Sequence, residues 1–159
     1  MDKTLIAYFS ANGSTAKLAN TLAQATGGDL YEIRPAVPYT SADLNWNNKS
    51  SRSSVEMNDK TARPAMSGPA ADIAKYDTIF VGFPIWWYEA PRIIQTFLES
   101  SDFSGKTVIP FATSGGSGMG KTASILQKSC PAAHVLPGKC MSASADIQEL
   151  SAWVKSLSV

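Results

Sequence analysis

The chain is short of most of the groups from which metal sites, disulfide frameworks and nucleic-acid grooves are made. Its 159 residues include two cysteines and one histidine. Cys130 and Cys140 are too few for a disulfide framework or a four-ligand zinc site, and His134 stands alone. A free, reduced pair of thiols is the expectation for a cytoplasmic chain. Positive charge is no richer: 14 Lys+Arg against 13 Asp+Glu leave a net charge of +1. No run of basic residues offers the stripe that a nucleic-acid binder needs, so nucleic acid is excluded as a partner. No apolar run approaches the roughly 18 residues of a membrane span, which excludes the membrane. Met1-Asp2-Lys3-Thr4 lacks the basic-then-apolar opening of a secretory signal. A single cytoplasmic domain over residues 1–159 is expected.

What is present is an alternation of apolar runs with amphipathic stretches. Thr4-Leu5-Ile6-Ala7-Tyr8-Phe9 is continuous and β-prone, as in a strand covered on both faces. From Thr15, alanines and leucines at helical spacing run to Gly27-Gly28, a stop signal. Leu30 to Ile33 supplies a second strand, Thr78 to Phe83 a third and Thr107 to Ala112 a fourth, with Pro110 awkward for a central strand. His134 to Leu136 reads as a short fifth strand. Helices are expected from about Pro91 with Ile93, Ile94, Phe97 and Leu98 inward, from Met119 to Ser129, and from Ala145 to Leu157. This grammar predicts an α/β fold, a three-layer doubly wound parallel sheet of five strands. Residues 34–74 break the rhythm. They form an enlarged segment rich in Asn, Ser and Pro, with one short helix expected near Ala42–Lys49 and Trp46 expected to pack under the segment.

Ligands of open parallel sheets bind beyond the carboxyl ends of the strands, where strand order reverses. Three loops there have unusual composition. Ser10, Asn12, Gly13, Ser14 and Thr15 place hydroxyls and an amide at a helix N-terminus. That suits a phosphate held by neutral hydrogen bonds, or an ordinary N-cap. Pro84, Ile85, Trp86, Trp87 and Tyr88 put three adjacent aromatics directly after a buried strand. They suit stacking on a flat ring, or a hydrophobic lid or dimer contact. Thr113, Ser114, Gly115, Gly116, Ser117 and Gly118 allow backbone N–H groups to approach the edge of a heterocycle. Residues 115–122 also fit the phosphate-binding pattern G-x-x-x-x-G-K-[ST] of P-loop nucleotidases. That reading lacks a second apolar strand ending in Asp to hold Mg²⁺.

Taken in order, the three loops resemble those of the flavodoxin-like family of FMN-binding proteins, and the likeness covers most of the chain outside residues 34–74. The resemblance implies strand order 2-1-3-4-5 and an FMN at the switch point. It implies that the first loop holds the phosphate, that Trp86 or Trp87 stacks on the isoalloxazine and that Thr113 to Gly118 faces its pyrimidine side. The cofactor would do the redox chemistry, and the protein would bind and tune it. With aromatic walls and no cationic side chain in the first loop, a low-potential flavin is expected.

Two features separate this chain from acidic carrier flavodoxins. Its charge is nearly balanced, and no glycine lies between Trp86 and Ala90 to ease a peptide flip during one-electron cycling. The leading reading is a flavodoxin-type electron-transfer protein whose partner is a redox protein. The alternative is an NAD(P)H-dependent FMN or quinone oxidoreductase, for which the partner is NAD(P)H or a quinone-like small molecule. The P-loop nucleotidase is the remote third. No residue qualifies by spacing as a general acid or base; Glu89 reads as a solvated loop charge and Lys121 as solvent-facing.

Overall fold

The computed structural model describes residues 3–11, 13–113 and 119–157. Its frame is a parallel sheet built from β1 (Thr4–Tyr8), β2 (Asp29–Glu32), β5 (Thr78–Pro84) and β6 (Thr107–Thr113), closed by two short strands, β7 (His134–Val135) and β8 (Lys139–Met141). The order is β2-β1-β5-β6-β7, with β8 also on β6. Counting β7 and β8 as one interrupted strand gives the expected order 2-1-3-4-5. Two further short strands, β3 (Arg34–Pro35) and β4 (Met66–Ser67), pair antiparallel and clamp the base of the enlarged segment.

The apolar runs behave as strands because both of their faces are covered. Leu5, Ala7, Ile79, Val81, Phe83, Val108 and Ala112 belong to the core under α3 (Arg92–Glu99) and α4 (Thr122–Ser129). Ile6, Phe80, Ile109 and Phe111 turn to the other core, under α1 (Ser14–Thr26) and α5 (Ile147–Ser156). Successive strand side chains point to opposite faces, so a strand between two helical layers must be apolar throughout. Leu18 and Leu22 of α1 and Leu150 and Trp153 of α5 fill the second core. Each such fully buried side chain contributes roughly 1.5–3 kcal/mol of transfer free energy.

Two expectations are corrected. The expected helix at 42–49 is a series of turns, because the polar side chains there bond to their own backbone. Thr40 and Asp43 bond reciprocally, Asn45 Oδ1 accepts from Asn47 N at 3.2 Å and Asn48 Oδ1 from Ser50 N at 2.9 Å. Such local bonds compete with a helix. The helix of this segment is α2 (Arg52–Asn58) instead, N-capped by Ser51. Trp46, expected to pack under the segment, is exposed.

The short fifth strand lies where expected, as β7, and the edge resumes in β8 after a break that Pro110 explains. Val108 O accepts from Leu136 N, so Val108 and, two residues on, Pro110 direct their backbone groups to this edge. Pro110 has no N–H to give, and the ladder lapses opposite it before β8 resumes. Gly138 fills the gap. Its φ is 76°, and a Cβ built there would stand 2.2 Å from the Pro110 carbonyl oxygen. Gly138→Ala is therefore expected to cost about 2 kcal/mol or more, seen as a lower urea midpoint with an unchanged denaturant slope.

Candidate functional site

The strand order reverses at β1, whose neighbours β2 and β5 lie to opposite sides. The loops that leave β1, β5 and β6 at their carboxyl ends are joined pairwise. Thr15 Oγ1 and Thr113 Oγ1 lie 2.8 Å apart, tying the first loop to the end of β6. Ile85 N donates to Thr113 O at 3.0 Å, tying the second to the third. Phe9 and Trp86 meet edge to face with centroids 5.8 Å apart, tying the first to the second. Ser10, Gly13, Ser14, Thr15, Pro84, Ile85, Trp86, Trp87, Tyr88 and Thr113 thus belong to one strand edge. Asn12, Ser114, Gly115, Gly116, Ser117 and Gly118 lie outside the described residues.

The first loop is organised around the Ser10 hydroxyl. Its oxygen accepts from Gly13 N at 3.0 Å and from Ala16 N at 3.2 Å, while Gly13 takes φ 93° at the N-cap of α1. Among the described residues the serine proton has no acceptor. The Thr15–Thr113 pair carries the same signature: two buried hydroxyls share one hydrogen bond, so one of their two protons has no protein acceptor among the described residues. Beside this loop a hollow of about 370 Å³ opens between Phe9, Ser10, Ala11 and the enlarged segment at Pro38 and Tyr39. The enlarged segment is thus ordered against the candidate site.

Tyr39 anchors that wall. Its ring lies 5.6 Å from Phe9 and 5.4 Å from Trp86, under the Arg52 guanidinium at 3.8 Å. Its hydroxyl donates to Glu56 Oε1. Burial first, and the adjacent Glu56 carboxylate second, push the phenol well above its ordinary value.

The second loop is a tight hairpin. Trp86 N donates to Glu89 O at 2.9 Å and Glu89 N to Trp86 O at 3.0 Å. Trp87 and Tyr88 between them have φ 49° and 66°. Consecutive left-handed residues make a type I′ turn, which Asn-Gly fills without strain and two aromatics do not. The geometry turns Trp87 and Tyr88 outward, 42% and 67% exposed, while Trp86 packs inward. The strain is held by Arg92, which the sequence reading passed over. Only 2% exposed, it donates to Glu89 Oε1 at 2.8 Å, to Met57 O at 2.7 Å, and to the carbonyls of Glu56 and Asp59. Glu89 is therefore a buried cation's partner, not a solvated loop charge. The available signal was an arginine opening an otherwise apolar helix face three residues after Glu89.

Thr122, the last residue of the P-loop-like motif, is fully buried and directs its hydroxyl to the Met119 and Tyr88 carbonyls. A P-loop would present that hydroxyl to a metal-bound nucleotide; here it fastens α4 to the hairpin. Among the described residues no group of acidic, histidine and cysteine side chains could hold a metal. Burial pushes the Cys130 thiol up to about 11, which keeps it protonated and unreactive.

Two expected outcomes follow from this geometry. Replacing Trp87 by Asn together with Tyr88 by Gly relieves the turn and should raise stability by about 1–2 kcal/mol in thermal unfolding. Because the phenol of Tyr39 stays protonated above the unfolded-chain value near 10, its contribution is complete below about pH 10 and is lost as pH climbs from there. Tyr39→Phe should flatten that alkaline loss in urea unfolding between about pH 9 and about pH 11, leaving the smaller contributions of Tyr8 and Tyr76, which are raised in the same direction.

Known proteins agree with this architecture. The sequence model of the family described as flavodoxin matches residues 3–157. A crystal structure from Bacteroides eggerthii is 52% identical, with a TM-score of 0.94 over 100% of this chain and 99% of that one. A second, from Bacteroides uniformis, is 51% identical, with a TM-score of 0.92 over 97% and 98%. A Lactobacillus acidophilus flavoprotein solved in complex with FMN shares the fold at 22% identity, with a TM-score of 0.72 over 97% and 99%. No functionally curated protein matches the sequence. A three-layer sheet in the order 2-1-3-4-5, three joined loops at its switch point and a family match along nearly the whole chain have one reading: the chain belongs to the flavodoxin family.

Proposed function

We propose that this protein binds FMN at the joined loops and transfers electrons through it. The observation that carries the reading is the set of unspent donors at the switch point. Among the described residues, Ser10 accepts two backbone N–H groups and has no acceptor for its own proton, and one of the buried Thr15 and Thr113 protons has none either. Both point to a ligand rich in acceptor oxygens and nitrogens. The residues fit FMN. Ser10, Gly13, Ser14 and Thr15 would hold the phosphate at the N-terminus of α1, whose first turn contains no acidic residue to repel it. Trp86, the aromatic that packs inward beside the joined loops, would wall the ring, and Thr113 would meet its polar edge. The L. acidophilus flavoprotein bound to FMN supports the same reading.

Bound here, the flavin supplies the redox chemistry. The protein's own groups bind it by neutral hydrogen bonds, exclude water with the aromatic wall and hold no cation at the first loop. These features favour the oxidised over the anionic reduced form and give a low potential. The partner is a redox protein in the carrier reading. The near-balanced charge and the rigid, glycine-free hairpin favour a second reading, an NAD(P)H-dependent FMN or quinone oxidoreductase acting on small molecules. The buried, unoxidised thiol of Cys130 supports a cytoplasmic setting. No helix among the described residues is long and apolar enough to cross a membrane.

Titration of the purified apoprotein with FMN should show saturable binding at one flavin per chain, followed by flavin absorbance. Riboflavin, which lacks the phosphate, should bind roughly 10–100-fold more weakly, because charge-assisted hydrogen bonds contribute about 1.5–3 kcal/mol. Failure to bind FMN, or equal affinity for both flavins, overturns the assignment. Rapid anaerobic bleaching of the bound flavin by NADPH alone would select the oxidoreductase over the carrier.

A further inference from the structure

On the outer side of the hairpin lies a separate cleft of about 720 Å³, within the usual range of about 300–1,000 Å³ for small-molecule sites. It contains no residue of the first loop. Trp87 and Tyr88 form one wall, Ile125 of α4 lines the floor, and Lys60 on one stretch of chain and Lys121 and Lys128 at the two ends of α4 stand around it. The other charges of the cleft cancel. Arg92 is paired with Glu89 at 2.8 Å, and Arg63 with Glu99 at 3.0 Å. The Arg63 guanidinium and then the Ser129 hydroxyl hold the Glu99 carboxyl below its usual range, so this pair is charged on both sides at neutral pH.

The three lysines have no such partner: no carboxylate of the described residues lies within 4.0 Å of their ammonium groups. Three uncompensated positive charges therefore gather in one concave site of a chain whose whole net charge is +1. Lys128 is in the last turn of α4, where the helix dipole favours a cation, and has that ordinary explanation. Lys121 has the reverse. It is the N-cap residue of the same helix, at the positive end of the dipole, where a lysine is disfavoured unless an anion accompanies it. An aromatic wall with a strained, outward-turned Trp87 supplies a stacking face in the same cleft.

We propose that this cleft binds a phosphate-bearing planar heterocycle, a ligand of the nucleotide class, with its phosphates among Lys60, Lys121 and Lys128 and its ring against Trp87. The site is independent of the flavin's and goes beyond the FMN reading. A small anion with a ring suits the cleft better than an acidic protein surface does, since the lysines line one concave hollow together with Trp87.

The test is calorimetric titration of the FMN-loaded protein with NADP⁺, with ADP and with inorganic pyrophosphate. Either nucleotide should bind at one per chain, more tightly than pyrophosphate because the ring adds contact with Trp87. Affinity should fall several-fold as salt is raised from about 50 mM to about 500 mM. The triple variant Lys60→Gln, Lys121→Gln, Lys128→Gln should bind about 10-fold or more weakly while keeping its melting temperature and its flavin content. Trp87→Ala should weaken the nucleotides and leave pyrophosphate unaffected. The proposal is overturned by undetectable binding of both nucleotides, by affinity unchanged in the triple variant, or by pyrophosphate binding as tightly as the nucleotides. Loss of flavin from the triple variant also overturns it, by placing the FMN ring in this cleft. A protein that takes up no FMN fails the reading of the preceding section alone, and the same titration run on it still decides this one.

Discussion

The buried guanidinium of Arg92 is the interaction on which the carboxyl edge of this protein depends. Taking a guanidinium out of water costs several kcal/mol unless its donors are met. Here they are met by the Glu89 carboxylate, by the Met57 carbonyl, and by the carbonyls of Glu56 and Asp59 at the end of α2. One side chain thus joins the end of α2, inside the enlarged segment, to the aromatic hairpin and the first turn of α3. The four carbonyl and carboxylate oxygens would otherwise be left to water or to nothing. Their convergence on one cation holds the hairpin in a turn that its own residues disfavour.

That turn in turn decides how the aromatics are divided. Trp86 is drawn inward onto Phe9 and Tyr39, while Trp87 and Tyr88 are thrown outward. The hairpin is a partition with two working faces. One belongs to the joined loops with their unspent hydroxyl protons, and the other to the lysine-lined cleft. The charge distribution follows the same division, with neutral donors in the first loop and ammonium groups on the far side. A net charge near zero over the whole chain conceals this local polarity.

Much of this was legible in the sequence, for physical reasons that particular residues illustrate. Thr4 to Tyr8 and Thr78 to Pro84 announce buried strands because two helical layers leave no room for polar residues between them. The three loops are legible because their composition has no use in a core. The turns at residues 42–50 were missed because a helical reading counts apolar spacing and ignores that Asn45 and Asn48 can satisfy the backbone locally. Pro110 was recognised as awkward, but its consequence falls on a different strand, which only the direction of its missing N–H reveals. Arg92 was invisible for a related reason. A cation beside a proline at a helix start reads as solvated until α2, some 35 residues earlier in the chain, brings its carbonyl end to meet it. Long-range convergence of backbone oxygens leaves no trace in local pattern.

The interruption opposite Pro110 has a consequence for the life of the molecule among its copies. An open sheet ends in rows of unpaired backbone groups, and a long, flat edge is a template on which another chain can add a strand. Here one outer edge is cut into pieces of two and three residues, with Pro137 and the left-handed Gly138 between them. The opposite edge, β2, is only four residues long and carries Asp29 and Glu32. Neither offers the uninterrupted, uncharged ladder that fibrillar growth requires. The same missing N–H that costs the fold a continuous fifth strand leaves that edge too short and too bent to seed aggregation.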